Sequence, residues 1–174
     1  PSDVSVLKNN GDGTYAAAVN YAVGSNSASV FAADLDGDND ADLAVANQNS
    51  DNVSVLQNNG DGTFTEVSAK AGVADPNGYY SLGVAFFDFD DDGRLDLFVC
   101  NYVRWSRELD FQVNYTLPGI GRAYGPPTHY EGTDSRLFRN RGDGTFEDAT
   151  RKAGVWDPTS KALGVALIDH DEDG

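Results

Sequence analysis

Two stretches decide the fold: VFAADLDGDNDADLAVAN at residues 30–47 and VAFFDFDDDGRLDLFVCN at 84–101, which align without gaps on Asp34 and Asp88. A third copy, VALIDHDEDG at 165–174, aligns on Asp169. Each begins with an apolar run and an aspartate-rich loop, and the first two continue into a second apolar run. Leu43–Ala46 and Leu97–Cys100 are apolar at every position. A half-exposed strand would alternate, so these runs predict strands covered on both faces. The one cysteine, Cys100, fits such a strand as a small core residue.

A second element keeps step with the first. NNGDGTY (9–15), NNGDGTF (58–64) and NRGDGTF (140–146) each follow a strand-like VSVLK, VSVLQ or SRLFR. A third element, SAKAGVADP (68–76) and TRKAGVWDP (150–158), follows the later two hairpins and predicts a short helical turn closed by Gly72 or Gly154. One unit therefore holds four short strands: into the Asp loop, out of it, on to a GDG turn of hairpin type, and back. Small sheets covered on both faces must stack on one another. Radial stacking of four-stranded blades does this, and units near 50 residues match propeller periods. The fold expected is all-β, a partial β-propeller. Its segments are a blade end at 1–27, a blade at 28–81, a blade at 82–161 with an insertion at 102–135, and the start of another at 162–174. The chain has no methionine and stops inside its third Asp motif, so it reads as a piece of a longer protein whose remaining blades it would pack against.

The 174 residues carry 28 acidic and 12 basic side chains, a formal charge of −16. That balance argues against nucleic acid and anionic membrane surfaces and favours cations. No apolar run is long enough to cross a membrane, so no membrane insertion is expected. Of the acids, 23 are Asp and five are Glu, and 13 of the Asp fall within 34–42, 88–96 and 169–173. Solubility alone does not require that bias. A single cysteine excludes an intramolecular disulfide framework and Cys-based zinc or iron–sulfur sites.

In the first loop Asp34, Asp36, Asp38 and Asp42 occupy positions 1, 3, 5 and 9, and Asp40 at position 7 offers its carbonyl. The second repeats the set as Asp88, Asp90, Asp92 and Asp96 with the Arg94 carbonyl, and the third supplies Asp169, Asp171 and Asp173. Converging oxygens in a forgiving geometry suit Ca2+ better than Mg2+. Position 6, where the chain must bend sharply, is Asn39, Gly93 or Gly174, residues that tolerate a positive φ. An EF-hand would need Glu at position 12, but those positions are Val45 and Val99, in strands. The hairpin aspartates Asp12, Asp61 and Asp143 are explained by turn geometry and are left out of the site.

Asp-x-Asp-x-Asp-Gly/Asn-x-x-Asp-Leu between two strands, followed by NNGDGTF, resembles the FG-GAP/VCBS repeats of integrin-α-type β-propellers. The AGV-D-P element, SLGVAFFDFDDDG and the NYVRW…DSRLFRNRGDGTF segment are similar to bacterial proteins of the cartilage-acidic-protein group. The resemblance implies a seven-bladed propeller, of which this chain supplies two whole blades and flanking halves.

Residues 102–135 are too long for a plain connection and gather Tyr102, Arg104, Trp105, Arg107, Tyr115, Arg122, Tyr124, His129 and Tyr130. Such a set either binds a partner or sugar, or packs as a satellite core over its own blade. No Ser/His/Asp order, HExxH, P-loop or Rossmann fingerprint is present, and His129 and His170 lie in different elements. The reading is a non-enzymatic, calcium-binding scaffold for adhesion to protein or glycan. It would work at the cell surface or outside the cell, the periplasm included, where calcium fills such loops. The alternative is part of a carbohydrate-active enzyme with catalytic groups in the insertion or in other blades.

Overall fold

The computed structural model describes residues 2–48, 50, 52–73 and 81–168. Strands β1 (Asp3–Val6) and β2 (Val19–Ala22) pair as an antiparallel hairpin. A four-stranded antiparallel sheet follows, β3 (Ser27–Ala33), β4 (Asp42–Asn47), β5 (Asn52–Asn58) and β6 (Phe64–Glu66), ordered as in the sequence. After helix α1 (Ser68–Ala71) come β7 (Ser81–Phe87) and β8 (Asp96–Asn101), then helix α2 (Arg107–Val113) and a small hairpin, β9 (Thr116–Leu117) with β10 (Gly121–Arg122). Strands β11 (Arg136–Asn140) and β12 (Phe146–Asp148) complete a second four-stranded sheet, ordered β7-β8-β11-β12.

The two sheets are blade-like and equivalent. Leu43 faces Leu56 and Val45 faces Ser54 in the first; Leu97 faces Phe138 and Val99 faces Arg136 in the second. As expected from the unbroken apolar runs, Ala44, Val45, Ala46, Leu97, Val99 and Cys100 are buried. A single apolar cluster holds Ala44, Ala46, Val53 and Val55 of the first sheet together with Val84, Phe86, Leu97 and Val99 of the second. Phe31 and Phe86 meet across the junction at 5.3 Å between ring centroids. On the other side Tyr21 of β2 meets Phe64 of β6 edge-on at 5.4 Å. Burial drives the Cys100 thiol pKa upward, so it is an inert core group.

The predicted helical turn at 68–72 forms, closed by Gly72 at φ 78°. Its first residue explains why this element trails the later two hairpins: the Ser68 hydroxyl accepts from the Val55 N–H at 2.8 Å, as Thr150 does from Leu137 at 3.0 Å. Residues 151–154 make turns and not a helix, with Gly154 at φ 76°. Residues 162–168 form no strand. They are tied to the sheet through the Ala162 N–H to Asn101 C=O bond, while Leu167 and Ile168 are exposed. The third Asp set, Asp169, Asp171 and Asp173, lies outside the described residues.

Helix α2 departs from the all-β expectation locally. Ser106 caps it by accepting from the Leu109 N–H, and Glu108 and Asp110 lie in its first turn, where acids are favoured. Asp110 then accepts from the Tyr130 hydroxyl at 2.5 Å and pairs with Arg122, whose guanidinium lies 4.1 Å from the Phe111 ring centroid. The insertion thus packs around Asp110, with Tyr130 and Val103 buried. Thr133 and Ser160 bond to each other across the return segment, and Lys161 donates to the Pro127 carbonyl. Among the described residues no helix is long and apolar enough to cross a membrane.

Candidate metal centres

Each Asp loop joins the first two strands of its sheet, β3 to β4 and β7 to β8, so both sit at corresponding corners of the two four-stranded sheets. Among the described residues two groups of three acids converge: Asp34, Asp36 and Asp42, and Asp88, Asp90 and Asp96. One oxygen from each residue lies within 4.8 Å of the others in its group. These are positions 1, 3 and 9. Asp38 and Asp92 at position 5 are not members: Asp38 accepts from the Asp40 N–H at 2.8 Å and Asp92 from the Arg94 N–H at 3.0 Å.

The loop backbone is bent at two places. Asn39 at φ 70° and Gly93 at φ 83° show the position-6 turn expected from sequence. Position 4 is left-handed as well, with Gly37 at φ 82° and Asp91 at φ 57°, a demand that an aspartate at position 4 conceals. The position-1 carboxylate holds the turn from inside. Asp34 accepts from Gly37 and Asn39, and Asp88 from Asp92 and Gly93. For Asp88, burial pushes the pKa up, but the N–H groups of Gly93, Asp92, Asp91 and Asp90 outweigh it and leave it lowered.

Position 9 is the buried floor. Asp42 is 1% exposed and Asp96 0%. Each carboxylate takes one N–H from position 2, Leu35 at 2.9 Å or Phe89 at 3.0 Å. Each takes a second from the last residue of the third strand, Asn58 at 2.8 Å or Asn140 at 2.7 Å. That second bond explains the strict alternation of the two repeats, because the asparagine opening each N-x-G-D-G-T hairpin closes the Asp loop of its own blade. Burial raises both pKa values, two backbone N–H donors oppose it, and the neighbouring carboxylates, Asp36 and Asp38 or Asp90 and Asp92, raise them further. Buried carboxylates facing other carboxylates with only oxygen donors between them fit a hard divalent cation.

The hairpin aspartates behave as turn residues. Asp12, Asp61 and Asp143 each accept from both the hydroxyl and the N–H of the threonine two residues on, which lowers their pKa values. In the insertion, Tyr102, Trp105, Tyr124 and Tyr130 line an open cleft of about 430 Å³, with Tyr124 76% exposed. The segment is therefore partly a satellite core and partly an exposed aromatic surface.

Twin acidic loops at one corner of stacked, four-stranded antiparallel sheets define a repeat protein with blade-like units. A model of the FG-GAP-like repeat matches residues 1–45 and 34–99, and the chain belongs to that family. It is similar to cartilage acidic protein 1 of Xenopus tropicalis, with 28% identity over 194 residues, 86% of this chain and 30% of that protein. The human cartilage acidic protein 1 is 60% identical over 38 residues, 22% of this chain and 6% of its own length. The mouse protein is 53% identical over the same number, with the same coverage. The chain spans less than a third of the length of these curated relatives.

Proposed function

We propose that this chain is a calcium-stabilised propeller segment serving as a scaffold for protein or glycan binding, outside the cytoplasm. The observation that carries the reading is the paired geometry of Asp34, Asp36, Asp42 and Asp88, Asp90, Asp96 at equivalent corners of two blades. Calcium at those triads would offset the charge that burial and neighbouring anions impose on Asp42 and Asp96. Asp38, Asp92 and the Asp40 and Arg94 carbonyls complete the proposed ligand sets, and Asp169, Asp171 and Asp173 belong to a third. The blade boundaries, a total of seven blades and packing against further blades are parts of the same reading. The FG-GAP-like repeat family, a non-enzymatic kind of module, supports a scaffold over a carbohydrate-active enzyme. The aromatic cleft at Tyr102, Trp105 and Tyr124 is the surface it would present to a ligand.

Titration calorimetry of the folded chain tests the ion. Uptake at the two complete loops is expected, and calcium at 100 times its dissociation constant adds about 2.7 kcal/mol per independent site, so chelation lowers the melting temperature. No uptake would refute the calcium reading. A glycan array and a polysaccharide-substrate panel, run on the full-length protein, separate binding from turnover.

A further inference from the structure

The two Asp loops are not electrostatically equal, and the difference comes from the strand behind them. Gln57 and Arg139 occupy the same place, next to last in β5 and β11, directly before Asn58 and Asn140. Both reach the position-3 aspartate of their own blade. Gln57 donates its neutral amide to Asp36. Arg139 donates to Asp90 at 2.5 Å and to Asp92 at 2.7 Å. At position 7 the first loop has Asp40, whereas the second has Arg94, which pairs with Asp92 and reaches the Asn140 carbonyl at 3.3 Å. Among the described residues no ion pair reaches Asp34, Asp36, Asp38, Asp40 or Asp42. Each loop carries five aspartates. With two guanidinium groups on the second and none on the first, the formal charges are −5 and −3.

We propose that Arg139, assisted by Arg94, is a built-in counter-cation that weakens ion binding at loop 88–96 and lets that blade keep its shape without the ion. Loop 34–42, backed by neutral Gln57, is then the ion-dependent one. This rests on the calcium reading above. A unit positive charge a few ångströms from a divalent ion, in a water-like dielectric, weakens binding by about tenfold.

Calcium titration of Asp90→Ala reads the first loop alone, and that of Asp36→Ala reads the second. The first binds at least about tenfold more tightly. Arg139→Gln, placed in the Asp36→Ala background, tightens the second loop by about tenfold, and Gln57→Arg in the Asp90→Ala background weakens the first by a similar factor. In chelator, where no ion competes, Gln57→Arg raises the melting temperature and Arg139→Gln lowers it. Should Arg139→Gln fail to fold, Gln57→Arg still decides. Uptake at both loops with equal affinities that neither substitution moves overturns the counter-cation while leaving the calcium reading intact. No uptake at either loop in any variant overturns the calcium reading itself, and unchanged melting temperatures in chelator then dispose of the counter-cation separately.

Discussion

Asn140→Ala measures what joins the two four-stranded sheets at their polar corner. The buried Asn140 side chain donates to two carbonyls at 3.1 Å, Leu95 in its own loop and Leu35 in the neighbouring one, and its Oδ1 accepts from the Gly142 N–H at 2.8 Å. Asn58 is an internal control. Its Nδ2 donates to Ala41, the equivalent of Leu95, at 3.2 Å, and its Oδ1 accepts from Gly60 at 3.1 Å. Asn140 is 2% exposed, whereas Asn58 is half-buried. The backbone bond to the position-9 aspartate survives both substitutions. The Leu35 carbonyl loses its side-chain donor only in Asn140→Ala, and a buried acceptor left so costs about 1–3 kcal/mol. Asn58→Ala should therefore cost about 1 kcal/mol, and Asn140→Ala about 1–3 kcal/mol more. Urea denaturation of both variants and the parent, in chelator and in excess calcium, gives the comparison. Equal losses would show that the bond from Asn140 to the neighbouring loop contributes nothing.

Two further expectations follow from single positions. Asp91 sits at φ 57°, so Asp91→Gly relieves the left-handed backbone and Asp91→Ala strains it, the alanine variant being less stable than the glycine variant by about 1 kcal/mol; equal melting temperatures in chelator would refute this. Asp110 is held below its ordinary 3.8, first by the Tyr130 hydroxyl and, against burial, by Arg122. Its contribution is complete above 3.8 and disappears as pH falls through the lowered folded value. Asp110→Asn should remove that part of the acid dependence, read by tryptophan fluorescence through Trp105; superimposable acid profiles for variant and parent would exclude it.

The strand order of both four-stranded sheets could be read from the sequence because repetition, not propensity, carried the signal: Leu43–Ala46 and Leu97–Cys100 are unbroken apolar runs in the same place relative to an Asp loop. Asp34, Asp36 and Asp42, with their counterparts, were legible for the same reason. What escaped was every link made through a backbone N–H or across a blade. The bond from Asn58 to Asp42 depends on how β5 folds back beside β4, and the hairpin motif resembles an ordinary turn until that pairing exists. Arg139 looks like a solvated strand residue in the string SRLFRN, and only the pairing of β11 with β8 brings it to Asp90. Helix α2 was obscured by its setting, since seven helical residues inside a long aromatic loop give too little periodicity to stand out.

The junction between the second and third strands of a blade tolerates very different lengths of chain. Five residues, 48–52, separate Asn47 from Val53, and 33 residues, 102–134, separate Asn101 from the equivalent Ser135, yet the strands they join hold the same register. On a flexible-chain estimate the longer excursion costs only about 1.7 kcal/mol more in closure entropy, which packing around Asp110 is well placed to offset. Both ends of the excursion are anchored at this junction, by Asn101 donating to the Asp134 carbonyl at 2.9 Å and by the Val103–Gly132 bridge. The anchors hold β8 and β11 in register at this end of the sheet, while the Asp loop lies at the other end of β8, so the long segment and the loop occupy opposite ends of the same strands.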